Sequence, residues 1–139
     1  YVTACVGVLD VGASSFTVAN AGHPPVYRRT GDGHVSELTC TGHPLGLRPG
    51  VSFETSTTEL VPGDVLVLYS DGVYEARNHL DRDYGFDRLR GTISRLGAKG
   101  NAGEILERIV SDVKRFVGTA SLDDDITVVV VKVEGKNKA

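Results

Sequence analysis

Apolar positions form short blocks or alternate with polar ones over the first half of the chain, and recur at helical spacing over the second half. Val2 to Leu9 is an apolar run interrupted only by Thr3 and Gly7, which predicts a strand buried on both faces. Asp10, Gly12 and Ala13 read as a turn. Phe16 and Val18 then alternate with Thr17 and Ala19, giving a second strand and a hairpin. A further hairpin is expected from Val26–Thr30, Gly31-Asp32-Gly33 and His34–Leu38, because Asp-Gly supplies the positive φ that tight turns need. Gly42 to Gly50 holds two prolines and three glycines and reads as loop. Val51, Phe53, Thr55 and Thr57 alternate as in a half-buried strand.

Val61-Pro62-Gly63-Asp64 is a turn, and Val65–Tyr69 after it is an apolar strand that runs into Ser70-Asp71-Gly72. Phe86, Leu89, Ile93 and Leu96 then repeat at helical spacing. A cleaner apolar face follows, with Ala102, Ile105, Leu106, Ile109, Val110, Val113, Phe116 and Val117. Asn101 with Glu104 three residues on is a capping pair for this helix, and Gly118 fits its end. Ile126–Val133 is almost all valine and reads as a central strand, and 134–139 as a polar tail. Strands early, helices late and a returning strand indicate an α+β fold rather than alternating βαβ units.

The 139 residues suffice for one domain with a core that needs no disulfides. A net charge of −3 argues against a basic nucleic-acid footprint, and no apolar run approaches the about 20 residues of a membrane span. The chain contains no methionine and opens on Tyr1 straight into an apolar run, so it is expected to be a piece of a longer protein. Cys5 and Cys40 are the two cysteines, read as small buried hydrophobes in a reducing, cytoplasmic setting. A zinc set of Cys5, His23, Cys40 and His43 is disfavoured: structural sites pair close ligands at both ends, and Cys5 and His23 stand 18 positions apart.

Acidic residues are placed more tellingly. Asp71 follows one apolar strand, and Asp123, Asp124 and Asp125 precede another. Adjacent carboxylates repel one another unless something neutralises them, and oxygen donors suit hard divalent cations. If the two strands lie side by side, Asp71 and one of the triplet could share a metal. The alternative is a common turn and a solvated acidic loop.

Four stretches carry a resemblance. They are Asn20-Ala21-Gly22-His23-Pro24-Pro25, Gly42-His43-Pro44-Leu45-Gly46-Leu47, Tyr69-Ser70-Asp71-Gly72-Val73-Tyr74-Glu75-Ala76-Arg77-Asn78, and Asp124-Asp125-Ile126-Thr127. In order and spacing the chain resembles the C-terminal part, over 1–133, of a SpoIIE-type member of the metal-dependent (PPM, or type 2C) protein phosphatases. The resemblance implies an antiparallel β-sandwich flanked by helices, with the N-terminal part of the fold missing. It implies two Mn²⁺ or Mg²⁺ ions that hydrolyse phosphoserine or phosphothreonine, and Asp71 and Asp124 as ligands. Asp125 stands where many relatives carry Asn and is not taken as a ligand. Gly72, Asp125, Glu75, Asn78 and His23 are expected either to support those ligands or to contact substrate, and Arg77, between Glu75 and Asn78 after the Asp71 turn, could likewise touch the substrate protein. Bland alternatives stay open. His23 and His43 fix turns, Glu75, Arg77 and Asn78 are polar residues of a short helix start, Tyr74 packs, and His34 and His79 lie on the surface.

The resemblance further implies a phosphorylated anti-anti-sigma protein of the STAS type as substrate. The family's earlier acidic segments are not in this chain, so it offers about half the ligand set and is expected to bind Mn²⁺ poorly and turn over little by itself. An uncovered sheet face or edge is expected to favour a homodimer. The competing function is a non-catalytic module that holds a phosphoprotein or a regulator.

Overall fold

The computed structural model describes residues 1–40, 42–97 and 100–135. Its strands are β1 (Ala4–Asp10), β2 (Ser15–Ala21), β3 (Val26–Arg29), β4 (Val35–Leu38), β5 (Thr55–Glu59), β6 (Val65–Tyr69) and β7 (Val128–Lys132). Its helices are α1 (Asp71–Tyr74), α2 (Phe86–Ser94) and α3 (Ala102–Val117). The strands form two sheets, ordered β1-β2-β5 and β4-β3-β6-β7, and every pairing between them is antiparallel. Of the polar tail expected over 134–139, only Glu134 and Gly135 are described, both exposed; 136–139 lie outside the described residues.

Strand periodicity builds the layers. Leu66 of β6 packs with Phe16 and Val18 of β2 and Val26 of β3, so one core lies between the two sheets. Val65, Val67 and Tyr69 point the other way, onto Leu89 and Ile93 of α2 and Ile105, Ile109 and Val113 of α3. The four-stranded sheet is therefore the middle layer, which is why β6 can be apolar at every position. Asp64, fully buried, accepts at Oδ2 from Arg28 Nη2 at 2.6 Å, from Arg28 Nε at 3.1 Å and from the Val61 amide at 3.1 Å. Bonds of this kind let a charge sit in the interior.

The capping pair on α3 is present. Asn101 Oδ1 accepts from the Glu104 amide at 3.0 Å and Glu104 Oε2 accepts from the Asn101 amide at 3.0 Å. Helices α2 and α3 are tied by a polar cluster, in which Tyr84 donates to Asp112 at 2.7 Å and Thr92 donates to the same carboxylate at 3.0 Å. Burial pushes the Tyr84 phenol up to about 12.

Four sequence expectations need correction. The run Val2–Leu9 is not buried on both faces. Strand β1 lies at the edge of the smaller sheet, and Val6 and Val8 are each 61% exposed, because no described residue forms a layer over that outer face. Strand β7 is likewise an edge strand rather than a central one, with Val129 half exposed. Its valines are apolar because the middle layer has helices on one side and a sheet on the other. Val51 and Phe53 precede β5 instead of belonging to it. Phe86 also departs from the buried face of its helix: it is 42% exposed and stacks on Tyr74 at 4.2 Å.

Candidate metal centre

Strands β6 and β7 pair with Leu68 opposite Val129 and Tyr69 opposite Val128. The chain leaving β6 and the chain entering β7 therefore meet at one end of the sheet. Ser70 joins them. Its amide donates to the Thr127 carbonyl at 3.0 Å, its hydroxyl donates to the Asp125 carbonyl at 3.1 Å, and its Oγ accepts from the Thr127 amide at 3.0 Å. One residue on, a Cβ on Gly72 would run into the Asp125 carbonyl oxygen. Glycine is what lets α1 start this close to the acidic loop. Asp71 and Asp124 are thereby brought to the same end of neighbouring strands.

Both carboxylates are exposed, and each is steadied locally. Asp71 Oδ1 accepts from the Gly72 amide at 3.1 Å, and Asp124 Oδ1 accepts from the Asp125 amide at 2.7 Å. No Lys or Arg among the described residues forms a salt bridge with either. A cleft of about 170 Å³ opens here, lined by Gly72, Glu75, Ala76, Arg77, Asp123 and Asp124. Its anionic oxygens are the donor type that Mn²⁺ and Mg²⁺ take. Among the described residues no group of three or more His, Cys, Asp or Glu could hold a metal by itself. The donors present thus fit a hard cation in kind and are incomplete in number.

The other expected site residues divide. Glu75 caps α1, its amide donating to the Asp71 carbonyl at 2.9 Å, and it lines the cleft. Asn78 turns inward on its own loop, where its Oδ1 accepts from the Leu80 and Arg82 amides at 3.0 and 3.2 Å. His23 lies beside Ser70 and Thr127 in a separate depression between the sheets. Its backbone is gripped by Asn20, whose Oδ1 accepts from the His23 amide at 2.8 Å and whose Nδ2 donates to the His23 carbonyl at 2.8 Å. Asp125 contributes its carbonyl to Ser70. Tyr74 packs between Tyr69 and Phe86, and burial, with the nearby Glu75 and Asp71 carboxylates, raises its phenol. His34, His43 and His79 are exposed, and Cys5 and Cys40 are unlinked and half-buried.

The sequence reading gives Ser70 no task and does not single out Asp123 from its triplet, and it takes Arg77 as a substrate contact or a helix-start residue without placing it at the cleft. A hydroxyl just before an acidic residue at a strand's end was the only available signal. Ser70→Ala is expected to lower the unfolding free energy by about 1–2 kcal/mol, read by urea denaturation. An unchanged midpoint would show that this clamp contributes nothing.

A helix-flanked antiparallel sandwich of this kind is the architecture of PP2C-type phosphatase domains. The PP2C phosphatase domain of SpoIIE from Bacillus subtilis, solved with a fragment of its regulatory domain, superposes with a TM-score of 0.79 at 26% identity over 94% of this chain and 37% of that one. A manganese-presoaked structure of the same phosphatase domain gives 0.76 at 22% identity over 99% of this chain and 59% of that one. The family model described as Stage II sporulation protein E (SpoIIE) matches residues 1–134, and the chain belongs to that family. Protein IcfG of Synechocystis sp. is 31% identical over 132 residues, which is 94% of this chain and 20% of that protein. Stage II sporulation protein E of B. subtilis is 27% identical over 136 residues, 96% of this chain and 16% of that protein. Phosphoserine phosphatase RsbP of B. subtilis is 31% identical over 75 residues, 54% of this chain and 19% of that protein. The chain therefore spans a fifth or less of the length of these relatives.

Proposed function

We propose that this chain is the part of a Mn²⁺- or Mg²⁺-dependent protein serine/threonine phosphatase domain that supplies Asp71 and Asp124 to a two-ion centre. One observation carries the reading: Ser70 fastens the end of β6 to the start of β7, so both aspartates face the same end of the sheet without a cationic partner among the described residues. Bound divalent cations lower the pKa of a water toward about 7 and neutralise charge on phosphoryl oxygens. Asp71 and Asp124 hold the cations, Ser70 and Gly72 fix the spacing between their two turns, and Glu75 and Asp123 add negative charge at the cleft. Further ligands come from the part of the domain outside this chain. The same part covers the exposed β1 valines, with a second copy of the chain as the alternative cover.

The substrate in this reading is a phosphoseryl or phosphothreonyl protein of the STAS anti-anti-sigma type, met in the cytoplasm. The name of RsbP, a phosphoserine phosphatase, supports the phosphoseryl part. A non-catalytic phosphoprotein-binding module is the second reading, favoured by the incomplete ligand set among the described residues. The test is release of phosphate from a phosphoseryl STAS-domain protein by the complete domain, with Mn²⁺ and with a chelator. Release that the chelator abolishes supports the phosphatase. Retention of the phosphoprotein without release supports the binding module.

A further inference from the structure

We infer that Arg77 is the anion-binding side chain of the cleft and contacts the phosphoryl group of the substrate, an assignment that rests on the phosphatase reading above. The cleft is lined by Glu75, Asp123 and Asp124, and Gly72 on its wall directly follows Asp71 in the chain. Carboxylates alone repel an approaching phosphate dianion. Arg77 is the one cation among the described residues that line it.

Its guanidinium is held in place from the far limb of its own loop. Arg77 Nε donates to Asp83 Oδ1 at 3.0 Å, and Nη1 lies 3.5 Å from Asp81 Oδ1. Nη2 has no partner among the described residues. The loop that presents it is well braced. Arg77 and Asp83 form an isolated antiparallel bridge, the Tyr84 amide donates to the Ala76 carbonyl at 2.8 Å, and Ala76 and Tyr84 at its base are buried. Asn78 closes the tip through Leu80 and Arg82. The hydrogen bond to Asp83, together with the charges of Asp81 and Asp83, raises the Arg77 pKa, so its charge is constant across working pH. A planar, permanently charged donor oriented in advance suits phosphoryl oxygens.

An arginine that only stapled the loop would have the same two ion pairs, so the test separates the two roles. In the complete domain with Mn²⁺ present, Arg77→Ala is compared with Asp83→Asn, which loosens the staple and keeps the guanidinium. Binding of inorganic phosphate is measured by calorimetry, KM with p-nitrophenyl phosphate, and Mn²⁺ affinity alongside. Arg77→Ala is expected to weaken phosphate binding and raise KM by about tenfold, with Mn²⁺ affinity unchanged or tighter. Asp83→Asn is expected to change both by less than about threefold. Equal effects of the two variants on KM, or phosphate affinity unchanged in Arg77→Ala, would overturn the assignment. A parental domain without turnover would instead defeat the phosphatase reading, while its phosphate affinity would still score Arg77.

Discussion

Asp71→Asn in the complete domain is expected to weaken Mn²⁺ binding by more than about 100-fold, since loss of a residue that merely supports a ligand already costs 10–100-fold, and to abolish phosphatase turnover. The carboxamide keeps the shape and an oxygen but loses the charge that attracts a hard cation. Asp71 is exposed and has no salt-bridge partner among the described residues, so the metal-free melting temperature should hold or rise slightly as repulsion with the acidic loop is relieved. Asp124→Asn should behave in the same way. Unchanged Mn²⁺ dependence in both variants would show that the ligands lie elsewhere.

Gly72→Ala is expected to have the second largest effect, and by a different route. The added methyl would collide with the Asp125 carbonyl oxygen, a backbone atom that cannot swing aside. Either α1 or the acidic loop must move. Overpacking of this kind costs about 1–3 kcal/mol. Unlike Asp71→Asn, this variant should therefore lower both the melting temperature and the Mn²⁺ affinity. A variant with both intact would mean that the two turns do not approach closely enough for a Cβ at position 72 to meet the Asp125 carbonyl.

Much of this architecture was legible in the chain. The apolar block Val65–Tyr69, the Asp-Gly hairpin between β3 and β4 and the capping pair at Asn101 and Glu104 are local signals, and each appears where it was expected. The misread runs share one cause. Apolarity reports that a residue is covered, not what covers it or where its strand lies in the sheet. Val6 and Val8 look like core residues and stand open, because their outer face has no layer among the described residues. The valines of β7 look central and lie at an edge, because burial comes from layers above and below. At the site, the closeness of Asp71 and the acidic triplet depended on two strands pairing, which spacing alone does not settle. The pairing of Tyr69 with Val128 settles that dependence. Ser70 was hidden because its task is a contact across 55 and 57 residues of sequence. Arg77 was legible as a substrate contact or a helix-start residue, but its bracing by Asp81 and Asp83 was not, because a helix start and a braced loop read alike until the loop's own hydrogen bonds are seen.

The most direct test of the central claim is paramagnetic line broadening of the 139-residue chain's amide resonances as Mn²⁺ is added, a readout that works even at weak affinity. The account predicts that broadening begins at Ser70, Asp71 and Gly72 together with Asp124 and Asp125, and that Asp71→Asn removes it from both segments. Broadening centred on another acidic surface, or confined to one of the two segments, would contradict the assignment of a shared site at the ends of β6 and β7.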